Sequence, residues 1–264
     1  MNFENILFEK IEKVGRITLN RPEVKNALNV PILQDMTKAI EEVRKDDQIK
    51  VLIVTGAGDT FSGGGDVDFL INDLCNRPPP EIRNLLKENY GGAALSLRSL
   101  EKPVIGALNG PTVGAGFDLS LHFDLRIASE KAKFGSIWVR IGTIPALGGM
   151  FLLPRIVGLT KASEMMMTGE VIDAQEAYRI GLVNQVVPSD QLQERALEFA
   201  NRLANGATWA VSVVKQGINR GLNGHLMGEI DWAVYMQSIC LKTEDCIEGI
   251  KAFKERRKAN FQGK

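Results

Sequence analysis

Hydrophobic positions in the first twenty residues alternate, through Ile6, Phe8 and Ile11 and then Val14, Ile17 and Leu19. Gly15 lies near the break, and the pattern predicts a hairpin ended by Asn20-Arg21-Pro22. From Pro31 to Val43 the period changes: Ile32, Leu33, Met36, Ala39, Ile40 and Val43 fall at helical spacing, with Pro31 in the first turn. Val51-Leu52-Ile53-Val54 is a continuous apolar run, the mark of a strand covered on both faces. A glycine-rich stretch from Gly56 to Gly65 follows. Residues 72–80 hold three consecutive prolines and are expected to form an exposed loop, after which helical spacing resumes as far as Arg98. Val104 to Leu108 reads as a second buried strand, and Asn109-Gly110 turns the chain into Val113-Gly114-Ala115-Gly116, which opens a helix. Leu125 to Ala128 is the third strand. From Ala146 onward helices dominate, with one short strand predicted over Val183 to Val187 and none beyond residue 200. Strand–helix alternation followed by a helical tail places the chain in the α/β or α+β class. The expected division is a core over residues 1–200 and a C-terminal helical region over 201–264.

Composition narrows the function. A chain of 264 residues buries about three quarters of its unfolded surface and needs no staples. Its 32 basic and 32 acidic residues balance, which argues against nucleic acid or an anionic membrane as a bulk partner. Cys75, Cys240 and Cys246 are too few and too scattered for a disulfide framework or a metal pair, and no other metal-ligand constellation is visible. Acids at Glu4 and Glu9 do not fit a signal peptide, and no apolar run reaches the ~20 residues of a membrane span. A cytoplasmic location is therefore expected.

Candidate chemistry lies in two glycine-rich loops, each following a buried strand. The first is Phe61-Ser62-Gly63-Gly64-Gly65-Asp66, and the second runs from Asn109 through Gly114-Ala115-Gly116 to Phe117-Asp118. Such loops expose backbone N–H groups to a ligand, and paired amides suit an oxyanion forming on a carbonyl. Glycines that only permit tight turns would look the same. Neither loop is a phosphate-binding Walker sequence, and the second misses the dinucleotide-binding spacing.

Taken together, several ordered segments resemble the enoyl-CoA hydratase/isomerase (crotonase) family over nearly the whole chain. They are Ile17-Thr18-Leu19-Asn20-Arg21-Pro22 with Asn26-Ala27-Leu28, then Phe61 to Asp66, then Lys102-Pro103-Val104 to Gly110 running into Gly114-Ala115-Gly116. Ala132-Lys133-Phe134-Gly135, Gly142-Thr143-Ile144-Pro145 with Gly148-Gly149, Ala177 to Val187, and Glu248-Gly249 to Phe261 complete the match. The resemblance implies a crotonase-like spiral of ββα units, with C-terminal helices that build a homotrimer or a hexamer of two trimers. It also implies an acyl-CoA thioester as substrate, with coenzyme A entering only as part of it and no separate cofactor. By position, the amides of Gly65 and Ala115 would form the oxyanion hole, with Gly64 and Gly114 beside them. Lys25 stands where the family contacts coenzyme A phosphates. Phe253 and Arg256 stand where a neighbouring subunit reaches the ligand, although Arg256 also fits a solvated run with Glu255, Arg257 and Lys258.

Four positions depart from that pattern. Family hydratases use two glutamates, and the first aligns with Asp118, whose carboxylate is retracted by about 1.5 Å, one C–C bond. The second aligns with Trp138, whose indole can donate a hydrogen bond but cannot exchange a proton at neutral pH, and which offers a flat wall for a bulky, cyclic or aromatic acyl group. Isomerase and dehalogenase relatives carry a further acid that would fall at Ala146. Asp118 is thus the expected acid–base residue, with capping of the helix's first turn as its competing role. His122, four residues on, is expected to pack rather than react, and Asp66 and Asp124 to brace loops. Asp68 replaces a common phosphate-binding lysine. Hydration or double-bond migration in an enoyl or dienoyl thioester leads. C–C or thioester hydrolysis, decarboxylation, and a non-catalytic acyl-CoA-binding oligomer stay open.

Overall fold

The computed structural model describes residues 3–263. Among these residues, nine strands form two sheets. The larger contains β1 (Ile6–Ile11), β2 (Val14–Leu19), β3 (Val51–Gly56), β4 (Val104–Leu108), β6 (Leu125–Ser129) and β9 (Gln185–Val187), in the order β1-β2-β3-β4-β6-β9. Only the β1–β2 hairpin pairs antiparallel; the other neighbours are parallel. The smaller sheet contains β5 (Thr112–Val113), β7 (Lys133–Gly135) and β8 (Val171–Asp173). Bridges pairing Leu28 with Gly65 and Ser62 with Thr112 extend this second layer.

A repeat emerges from the chain order. Strands β2, β3 and β4 each pass through a short segment of the second layer and then into a helix. Thus β2 leads through Leu28 to α1 (Val30–Lys45), β3 through Ser62 and Gly65 to α2 (Val67–Asn72), and β4 through β5 to α5 (Gly114–Ser120). Between α2 and α5 lie α3 (Pro79–Leu85) and α4 (Gly92–Ser99), joined by a π-helical turn at Leu86–Gly91. This is the spiral of ββα units expected from the sequence.

Residues of β3 show why the apolar runs are continuous. Val51 and Ile53 face one core with Leu192, Ala196, Ala200 and Ala204 of α9 (Leu192–Ala204), while Leu52 and Val54 face the other, with Ile32, Met36 and Ile40 of α1. Both sheet faces are therefore dry. Asn29 caps α1 by accepting from the Ile32 N–H, and Pro31 occupies a first-turn position that has no bond to lose.

Two expectations need correction. Residues 72–80 are not a loop throughout: a short 3-10 turn spans Leu74–Asn76, and α3 begins at Pro79. Prolines at the first positions of a helix forfeit no hydrogen bond, so the triplet starts the helix instead of preventing it. The region after Ala146 also contains β8, which pairs antiparallel with β7, besides the expected strand at Gln185–Val187.

The remaining helices are α6 (Gly149–Val157), α7 (Leu159–Thr168), α8 (Ala174–Arg179), α10 (Thr208–Gly221), α11 (Leu226–Cys240) and α12 (Glu244–Glu255). Lys215 of α10 ties this tail to the sheet through a 2.7 Å ion pair with Asp124, which also accepts from the Val104 N–H. Elsewhere the tail exposes many large apolar side chains. No residue of α11 is buried, and Val214, Ile218, Leu226, Met227, Val234, Tyr235, Ile250 and Phe253 all face outward. No helix among the described residues is long and apolar enough to cross a membrane.

Candidate active site

The two glycine loops meet in the second layer. Leu28 donates its N–H to Gly64 O at 2.7 Å and accepts from Asp66 N–H at 3.0 Å, so the residue between, Gly65, turns its own N–H to the opposite side. On that side lies the second loop, joined through Ser62 to Pro111 and Val113 at 3.1 Å each. Gly64 makes the reversal with φ +107°, and a Cβ there would stand 3.6 Å from the Ala115 nitrogen. Ala115 is the second residue of α5, so its N–H has no acceptor within the helix. Gly64, Gly65, Gly114 and Ala115 are brought together.

Gly65 also lines a cavity of about 200 Å³ whose other walls include Leu70, Leu86, Tyr90, Trp138, Ile144 and Leu147. Tyr90 spends its hydroxyl on Leu28 O at 2.9 Å. Ala146 lines the cavity as well, where an acid would have stood in some relatives.

Asp118 sits behind this wall. Its side chain has no exposed surface, and Oδ2 accepts from the Trp138 indole N–H at 3.1 Å. Oδ1 has no partner. It lies against Gly149, where a Cβ would overlap it. Burial raises the carboxyl from an ordinary 3.8 to about 7, against the opposing effects of the Trp138 indole and the Leu147 backbone N–H. Asp118 therefore does not cap α5; it holds Trp138.

Other expected residues fall around this centre. Lys25 is exposed, in a left-handed turn (φ 55°) whose Cβ side abuts Gly63, and its carbonyl accepts the Gly63 N–H at 2.7 Å. Asp66 caps α2 and pairs with Arg21 at 3.0 Å, and Asp124 braces Lys215, so both support structure. Asp68 is exposed. Phe253, 87% exposed, and Arg256 lie on and just after α12, and neither lines the cavity that Gly65 and Trp138 share. Sequence reasoning missed Tyr90, Leu147 and Gly149. Of these, only Gly149 left a signal, as part of the Gly148-Gly149 pair.

Comparison with known proteins agrees with this architecture. Residues 9–264 match the family model described as enoyl-CoA hydratase/isomerase. The chain is 38% identical to a crotonyl-CoA hydratase of Syntrophomonas wolfei, with 100% of each covered. It is 36% identical to an (E)-benzylidenesuccinyl-CoA hydratase of Thauera aromatica, covering 98% of this chain and 99% of that one. A crystal structure of enoyl-CoA hydratase from Bacillus anthracis superposes with a TM-score of 0.91 at 32% identity, over 99% of this chain and 100% of the other.

Proposed function

The chain belongs to the enoyl-CoA hydratase/isomerase family and is an enzyme of that type, and we propose that it moves a proton between carbons of an enoyl thioester, with Asp118 as sole acid–base group. In this reading the thioester oxygen rests on the N–H groups of Gly65 and Ala115. Those dipoles are oriented before the substrate arrives, so they stabilise the negative charge of an enolate without reorganising. Asp118, as carboxylate, takes a proton from Cα of a 3-enoyl thioester. The electron pair spreads onto the oxygen and the double bond, and the same carboxyl returns the proton at Cγ. One acid balances the reaction, which needs no redox cofactor.

The observation that carries this reading is the environment of Asp118. A carboxyl at about 7 is half ionised at neutral pH and can both accept and return a proton. Trp138 stands where a second acid would be, and its indole N–H is engaged with Asp118. Holding a nucleophilic water takes about two to four polar partners, and the cavity walls are nearly all apolar. These walls favour double-bond migration over hydration. Hydration is the second reading, supported by the activities named for the Syntrophomonas and Thauera relatives. Either route requires the acyl group to displace the indole, because Trp138 separates the cavity from Asp118. A flat wall of this kind favours a bulky or cyclic acyl group, in keeping with the benzylidene thioester hydratase among the relatives.

Lys25 and Arg256 are the cations proposed for the coenzyme A phosphates. The uncovered apolar faces of α10, α11 and α12 support a trimer, alone or paired, in which Phe253 and Arg256 complete a neighbour's pocket. Product analysis tests the reaction. Conversion of a 3-enoyl-CoA to its conjugated isomer with unchanged mass supports migration. Gain of one water by crotonyl-CoA, with no migration, moves the assignment to hydration, and two fragments would refute both.

A further inference from the structure

His122 takes no part in the chemistry described above, yet it is buried beside it. The ring is 6% exposed, and Nε2 lies 2.6 Å from Leu147 O. A carbonyl can only accept, so Nε2 carries the hydrogen and Nδ1 is bare, without a partner. Burial lowers the ring's pKa below the ordinary histidine value, against the Leu147 carbonyl, which raises it, and with the nearby charge of Arg98, the charged group facing it, which lowers it further. The Nε2–H donor is therefore permanent at neutral pH.

Its acceptor belongs to a segment with two further contacts. The Leu147 side chain walls the acyl cavity, and its N–H faces the Asp118 carboxyl. The His122 ring packs on Gly148, where a Cβ would lie 3.7 Å from Cε1 and Nε2. Gly149, the next residue, presents its Cα to Asp118 Oδ1. Residues 147–149 are thus clamped by His122 on one side and touch Asp118 on the other. Asp118 and His122 lie four residues apart, joined by turns past the end of α5 (Leu121 N–H to Asp118 O, His122 N–H to Leu119 O), and both reach residues 147–149.

We infer that His122 is a positioning residue, whose hydrogen bond to the Leu147 carbonyl sets residues 147–149 against the Asp118 carboxyl and the acyl cavity. The inference rests on Asp118 being the acid–base group. Two consequences follow. A drift of the segment by about 1 Å misplaces the carboxyl against the reacting carbon, a loss on the order of 10²-fold in turnover. Withdrawal of the Leu147 N–H also removes a donor that lowers the Asp118 pKa. The other group acting on that carboxyl is the Trp138 indole, with no charged side chain among them. The acidic limb of the pH–rate profile then moves to higher pH.

The experiment compares kcat, KM and the pH–rate profile of the wild type with His122→Leu, His122→Gln, His122→Asn and Asp118→Asn. Glutamine places an amide N–H near the position of Nε2, whereas asparagine falls short of Leu147 O. We expect kcat of the leucine and asparagine variants to fall about 10- to 100-fold. Their KM should stay within a few-fold, their acidic limb should shift upward, and glutamine should restore both rate and limb. Should the leucine variant not fold, the glutamine–asparagine contrast decides. Equal, wild-type profiles for both, with Asp118→Asn inactive, overturn the positioning role and leave the acid–base reading standing. A fully active Asp118→Asn removes that reading, and the inference with it.

Discussion

Replacing Asp118 with asparagine should stabilise the protein, and by an amount that depends on pH. The native carboxyl titrates at about 7 because burial penalises its charge, whereas the unfolded chain ionises near 3.8. Between those values the native state holds a proton that the unfolded state has released. Stability therefore falls by about 1.36 kcal/mol for each pH unit across this window and is level above it. The full loss is about 4 kcal/mol, of which about 2.7 kcal/mol falls between pH 5 and pH 7. Asparagine carries no such penalty, and its carbonyl oxygen can still accept from the Trp138 indole. Differences between the two proteins cancel every other titrating group. The melting temperature of Asp118→Asn relative to wild type should thus rise by about 5–10 °C more at pH 8 than at pH 5, taking roughly 2–4 °C per kcal/mol for a chain of this size. Thermal melts at both pH values and equal protein concentration read this directly. An equal difference at the two pH values would show that Asp118 is not held protonated by burial.

Other perturbations follow from the same contacts. Trp138→Phe removes the donor on Asp118 Oδ2, so the carboxyl pKa rises and the acidic limb of kcat moves up while turnover persists; an unmoved limb in the pH–rate profile contradicts this. Gly149→Ala places a methyl group on Asp118 Oδ1, and steady-state kinetics should show kcat lowered on the order of 10²-fold, with stability reduced by about 1–3 kcal/mol in denaturant unfolding. Lys25→Ala should raise KM for acyl-CoA about three-fold at low salt and less at high salt, with kcat unchanged, as an exposed phosphate contact would. A salt-independent KM would place the phosphates elsewhere.

Much of this fold was legible because its long elements carry strong periods. The alternation through Val14, Ile17 and Leu19 and the continuous Val51–Val54 and Val104–Leu108 runs announced the main sheet, and the Ile32-to-Val43 spacing announced α1. The second layer was hidden. Segments such as Thr112–Val113 and Val171–Asp173 are too short to show a period, and their pairing depends on neighbours distant in the chain. Pro78-Pro79-Pro80 misled because a breaker inside a helix is a starter at its first turn. At the site, the glycine loops were visible as loops, and their convergence is a property of the Leu28 and Ser62 bridges. Asp118 and Trp138 could each be singled out by type and position, but the bond between them spans twenty residues and depends on how α5 meets the turn after β7. Leu147 acts chiefly through its backbone, which no side-chain pattern records.

The claim most exposed to refutation is that a single buried aspartate carries the proton on a thioester held by two amides. It is tested by measuring turnover and acyl-CoA affinity of wild type and Asp118→Asn side by side, with crotonyl-CoA and a 3-enoyl-CoA as substrates. The account predicts that the variant binds within a few-fold of wild type and loses nearly all turnover of whichever thioester the wild type converts. Turnover undiminished in Asp118→Asn would contradict it and remove Asp118 from the mechanism.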